Sequence, residues 1–199
     1  MSEPMFTAYQ AWSGGWYELA IEVGPRSDAR MRSALSALWA HPDLTGCFYD
    51  RYREPDDQPR VPAEFLDDGA HLLGFARLPN GTRVTCGSCI VREIDDGSDW
   101  LDFYLPLGSL GSAYPVGGFP FGTEADWPGP WRDEVEDWLA EVGLRIAGAS
   151  SFRLGLIGFD VSGHAYAADI AVQGIPSERV IGYLWPTDGA VVYHRRSVE

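Results

Sequence analysis

The residue types that could do chemistry are few in this chain, and their spacing excludes more than it offers. Cys86-Gly87-Ser88-Cys89 has the Cys-x-x-Cys spacing of zinc knuckles and dithiol redox sites. A zinc site would need a second such pair or paired histidines, and neither follows. The motif also falls in a predicted strand, where positions three apart point to opposite faces. Buried structural thiols are therefore predicted for Cys86 and Cys89. The histidines His41, His71, His164 and His194 lack partners at the spacing a metal pair requires. His41 reads as a helix-end residue and the other three as strand residues. Gly108-Ser109-Leu110-Gly111-Ser112 does not have the spacing of a nucleophile elbow. All 15 basic residues are arginine. Without lysine there is no Schiff base, no pyridoxal anchor, no phosphate-loop lysine and no Ser-x-x-Lys nucleophile.

Carboxylates are plentiful and clustered: Asp56-Asp57, Asp67-Asp68, Asp95-Asp96 with Asp99, and Asp133-Glu134-Glu136-Asp137. The third lacks the alternate-position pattern and closing glutamate of a calcium loop and is predicted to be a solvated hairpin tip. The fourth reads as the outer face of a first helical turn, matched to the helix dipole. No catalytic set, cofactor or metal site is predicted.

Binding residues are easier to nominate. In Ser98–Pro106, Leu101, Phe103 and Leu105 alternate with Trp100, Asp102 and Tyr104. The first set suits a core, and the second places two amphipathic rings around a carboxylate. In Trp16–Val23, Tyr17, Leu19, Ile21 and Val23 share one face, while Glu18 and Glu22 lie on the other. After Pro106 comes LGSLGSAYPVGGFPFG, apolar yet broken by glycine and proline, continuing to Pro130 with Tyr114, Phe119 and Trp127. A segment this long without regular structure is expected to be an ordered loop, packed across the sheet or over a pocket mouth. The candidate ligand- or partner-binding set is thus Trp100, Asp102, Tyr104, Tyr114, Phe119, Trp127, Glu18 and Glu22.

These residues need elements to hold them. A helix is predicted from Asp28 to His41, capped at Ser27 or Asp28 and stopped by Pro42, with Met31, Ala34, Leu35, Leu38 and Trp39 as one stripe. A second begins at Pro130, with Trp131, Val135, Trp138, Leu139 and Val142 as its stripe. Strands are predicted at Trp16–Val23, Gly46–Arg53, Ala70–Leu78, Thr82–Ile94, Ser98–Pro106, Ser151–Phe159, His164–Val172, Arg179–Trp185 and Ala190–Arg195. Asn80-Gly81 suits a type I′ hairpin. Asp95–Ser98 forms the next turn. The expectation is one α+β domain over 1–199, a mainly antiparallel sheet of about nine strands with two amphipathic helices on one face. Each half would be a helix followed by a meander, giving pseudo-halves 15–107 and 130–196 joined by the loop 107–130.

Composition bounds the partners. Of the 199 residues 45% are apolar and 13% aromatic, enough for a filled core. With 29 acidic residues the net charge is −14, which repels phosphate backbones and anionic membranes and favours a basic protein partner. The amino terminus lacks a signal peptide's basic flank and apolar run, and three cysteines fit reduced thiols. A soluble, cytoplasmic protein is expected.

The runs WYELAIEVGP, SALSALWAHPDL and GCFYDRYREPDDQP resemble the first module of GyrI-like effector-binding domains over about Trp16–Pro59. DFYLPLG with VEDWLAEVG echoes a second module. The resemblance implies paired modules around a pocket for an amphipathic small molecule, with Glu18, Glu22 or Asp102 inside it. Three functions follow, in order. The first is a non-catalytic acidic inhibitor or immunity-type protein that binds a basic partner. The second is a small-molecule binding domain with a Trp/Tyr-lined pocket roofed by Leu107–Gly122. An unrecognised hydrolase ranks last.

Overall fold

A computed structural model describes residues 5–63, 69–93, 97–117 and 130–197. Its centre is β1 (Trp16–Pro25), whose inner positions are all buried, so both faces of the sheet are covered. Ser27 then accepts an N–H from Arg30 at 3.4 Å and starts α1 (Asp28–Trp39). The remaining strands are β2 (Leu44–Phe48), β3 (His71–Arg77), β4 (Arg83–Arg92), β5 (Ser98–Pro106), β6 (Leu154–Phe159), β7 (Gly182–Thr187) and β8 (Ala190–His194). A short α2 (Leu107–Leu110) follows β5, α3 (Pro130–Ala149) precedes β6, and α4 (Ala167–Gln173) lies between β6 and β7. The eight strands form one antiparallel sheet in the order β2-β3-β4-β5-β1-β6-β7-β8.

The α+β class and the antiparallel sheet match expectation, but the described residues form eight strands where about nine were expected and four α-helices where two were. The missing strand is His164–Val172: His164 lies in a turn and Ala167–Gln173 is α4. The run after α3 is therefore three strands interrupted by a helix, not a four-strand meander like the first half. The Asn80-Gly81 turn also differs from type I′. Only Gly81 has positive φ, at 84°, and its N–H bonds the Leu78 carbonyl at 2.8 Å. Pro79 fixes a negative φ at the first central position, so a left-handed glycine closes the turn instead. Asp95 and Asp96 of the next turn, like Asp67 and Asp68, lie outside the described residues.

Helices α1 and α3 cover one face. Their predicted stripes are buried there against Leu19, Ile21, Leu101 and Phe103 in one continuous core. At 25 cal/mol per Å2 of apolar surface, each such side chain contributes about 1.5–3 kcal/mol. The loop after β5 belongs to this face as well: Leu110 and Val116 join the core and Tyr114 packs on it. The expected roof over Trp100 and Tyr104 is therefore absent from 107–117, because the apolar residues of that segment find the helical core first. The opposite face is covered piecemeal. Phe6, Phe48, Leu73 and Phe75 make one small cluster, with Trp12 against it. Ala20, Trp100, Leu154, Leu156, Val161, Ala167 and Ile170 belong to another, beneath α4.

Two acidic clusters are corrected by burial. Asp99 is no solvated tip: it pairs with Arg92 at 3.3 Å and accepts the Ser27 N–H at 3.1 Å. Glu136 is buried too, bonded by Tyr17 and by Arg196 at 3.2 Å. Among the described residues no helix is long and apolar enough to cross a membrane.

Candidate functional site

Between the two small clusters, the second face of the sheet is polar and aromatic. The strand register sets its rows. Gly87, Tyr104 and Glu18 lie side by side on β4, β5 and β1, and so do Cys89, Asp102 and Ala20. His71 on β3 continues the second row beside Cys89.

Gly87 is what allows Tyr104 to function here. A β-carbon at Gly87 would run into the Tyr104 ring, so glycine lets the ring lean across β4. Its hydroxyl then shares a hydrogen bond of 2.6 Å with His71 Nδ1. Trp16 stacks on the same ring at 4.3 Å between centroids and 16° between planes, and meets His71 edge-on at 5.7 Å. Burial lowers the His71 pKa and raises that of Tyr104, so both are neutral. Cys89 is pushed up to about 12 by burial and by Asp102 and Glu18, so it is a thiol and no nucleophile.

Trp16, Tyr104 and His71 floor a cleft of about 510 Å3. Its walls are Trp12, from the turn Tyr9–Trp12, and the loop carrying Tyr49, Asp50, Arg51 and Tyr52. Trp12 Nε1 donates to the Phe6 carbonyl at 2.5 Å, which fixes its ring. The loop is tied by Gln58, which donates to the Asp50 and Arg53 carbonyls at 2.6 Å each. Arg51 lies over the Tyr52 ring at 4.7 Å. The cleft thus offers stacking surfaces, a neutral hydrogen-bonding pair and one charge of each sign.

Of the six nominated residues that are described, only Tyr104 lines the cleft. Glu18, Glu22, Trp100 and Asp102 share its face but are sealed in, at 1–3% exposure. Trp100 lies under Tyr166, edge-on at 5.7 Å. Glu22 accepts Ser98 Oγ at 2.7 Å and the Ala167 N–H at 2.6 Å, and pairs with Arg153 at 3.3 Å, so it pins the start of α4. Glu18 accepts the Ser162 N–H at 2.9 Å. Tyr114 is on the helical side, 6.3 Å from Trp131. Phe119 and Trp127 lie outside the described residues. The two amphipathic rings of the β5 outer face, Trp100 and Tyr104, are thus buried. Among the described residues the exposed rings are Tyr9, Tyr49, Tyr52 and Tyr166, all outside the strands. Sequence reasoning missed Trp12, Trp16, Tyr49, Tyr52 and His71. The signal was there in Trp12 and Trp16 flanking two glycines, and in His71 alternating with Leu73 and Phe75.

On the helical face Asp43, Glu134, Asp137 and Glu141 border a groove of about 490 Å3 floored by Trp138 and Leu78. Trp138 Nε1 donates to Asp43 at 3.2 Å, and Asp137 pairs with Arg195. Among the described residues no group of three or more His, Cys, Asp or Glu could hold a metal ion. No family model, curated protein or solved structure matches this chain.

Proposed function

We propose that this protein is a non-catalytic, acidic binding module that recognises a basic polypeptide partner through the aromatic cleft. One observation carries the reading. The segments that wall the cleft also hold the most exposed rings among the described residues, Tyr9 at 76%, Tyr52 at 74% and Tyr49 at 52%. Tyrosine, tryptophan and arginine are the residues that dominate binding hot spots, and the cleft gathers all three around a concave centre. The net charge of −14 steers a basic partner toward such a surface. The test is calorimetry against the basic proteins encoded beside its gene, at low and high salt. Association that weakens with salt and is lost in Tyr52→Ala supports the reading. Salt-independent binding, or binding indifferent to Tyr52 and Tyr49, overturns it.

A second reading rests on the floor of the same cleft. Its volume of about 510 Å3 suits a small molecule, and Trp16 and Tyr104 are already stacked and held. The occupant would be a planar amphipathic compound, as the resemblance to GyrI-like domains also implies. A fragment screen followed on the Trp16 indole N–H distinguishes the two. Planar fragments shifting that resonance, with binding retained in Tyr52→Ala and lost in Trp16→Ala, favour the small molecule.

A further inference from the structure

Five carboxyls are buried among the described residues: Glu18, Glu22, Asp99, Asp102 and Glu136. Arginine neutralises three of them, through Arg153 on Glu22, Arg92 on Asp99, and Arg132 and Arg196 on Glu136. Glu18 and Asp102 have no such ion pair among the described residues. They lie on adjacent strands of the second face, one register step apart, with Ala20 opposite Asp102 and Tyr104 opposite Glu18.

What surrounds them is acidic or neutral on every side. Cys89 faces Asp102 from β4, Tyr104 stands beside both on β5, and β6 offers only Gly158 and Leu156. The turn above them brings Asp160 and Ser162. That turn is fastened by Glu18, which accepts the Ser162 N–H at 2.9 Å, and it brings Ser162 beside Asp102. Asp102 Oδ1 is buried with no partner. Two ionised carboxylates in this setting would repel each other without a counter-charge, and removing an ion from water costs several kcal/mol. One proton must stay.

We propose that the Glu18–Asp102 pair keeps one proton while the 160–166 turn seals it from water, so that at alkaline pH the cost of burying a second charge releases the turn. The titration directions agree. Burial and then Asp102 raise Glu18 to about 8, and burial raises Asp102 to about 6. At neutral pH the pair thus carries one charge, on Asp102. Glu22, paired with Arg153, fastens α4 separately, so the release is confined to the turn.

The test is amide hydrogen exchange, read by NMR from about pH 5 to about pH 9 and expressed as protection so that base catalysis is divided out. Between about pH 6 and about pH 8 the Ser162 amide should lose protection by up to tenfold per pH unit, the most that one linked proton allows. The Ile21 amide of β1 should stay the better protected at every pH, which separates release of the turn from global unfolding. Glu18→Gln keeps the acceptor oxygen and removes the charge, so Ser162 protection should become flat with pH. Asp102→Asn removes the neighbouring charge but leaves Glu18 buried, so it should lessen the dependence, and it serves if Glu18→Gln does not fold. Protection of Ser162 that is independent of pH in the unaltered chain overturns the proposal. So does a pH dependence that persists undiminished in the substituted chain.

Discussion

The two faces of the sheet follow opposite rules. Under α1 and α3 the core is continuous and apolar from Met31 across to Ile146. On the other face it is split into two small clusters, with buried carboxyls, a thiol and a histidine between them and a cleft at one side. Unpartnered buried polar atoms occur on both sides, at Trp100 Nε1 and Asp102 Oδ1 on the second and at Tyr114 Oη, Asp137 Oδ1 and Tyr193 Oη on the helical one. What separates the faces is the continuity of the apolar core, which is unbroken under the helices and interrupted on the other side. The proposed function places recognition on the interrupted face.

The sharpest break of that comparison is Phe103→Ala, which empties a fully buried site in the helix-covered core. It should cost about 3–5 kcal/mol in denaturant unfolding. A much smaller loss would mean that the helical face does not carry the fold. Next is Gly87→Ala, whose new methyl meets the Tyr104 ring. About 1–3 kcal/mol should be lost. The fluorescence of Trp16 should change, because its stacking partner is displaced.

The pH profile of stability sharpens the contrast further. Glu18 has its folded pKa raised from 4.5 to about 8. The folded state therefore binds more protons than the unfolded state between those values. Stability from this group is complete below about pH 4.5 and falls as pH rises toward 8, by at most about 1.4 kcal/mol per pH unit. Equilibrium unfolding of Glu18→Gln should show that slope removed; an unchanged slope would place the proton elsewhere.

Tyr104→Phe should be milder. It deletes the 2.6 Å hydrogen bond to His71 and keeps the ring stacked on Trp16, costing about 1 kcal/mol in thermal unfolding. Smallest of all is Tyr52→Ala, on the exposed rim. It should change stability by less than about 0.5 kcal/mol while weakening partner binding. A large stability loss there would mean that the rim is structural.

Much of the first face was legible from periodicity. The stripe Met31, Ala34, Leu35, Leu38 is buried as spaced, and Ser98–Pro106 is a strand at the predicted bounds with both faces assigned. The second face was harder to read. HAYAADIAV suggests a strand, yet Ala167 and Ile170, three apart, are the residues α4 buries. So short a helix has little stability of its own, and Glu22 on a distant strand supplies its missing cap. The glycine-proline segment held enough apolar residues to demand burial, but nothing local said on which face. The cleft was missed for a related reason: its walls, Trp12, Tyr49 and Tyr52, come from short irregular segments, where alternation carries no information.

Alternation and helical spacing are properties of neighbours along the chain, so the sequence by itself determined which residues share a face, and that an antiparallel sheet would carry two helices. What covers each face depends on segments remote in sequence: Ser162 is 144 residues from the Glu18 it bonds. Only the tertiary structure therefore decided that the carboxyls of β1 and β5 are sealed from water, and that Trp12, Trp16, Tyr52 and Tyr104 meet around one cleft. Burial sets the charge state of a carboxyl, and burial is a property of the folded whole.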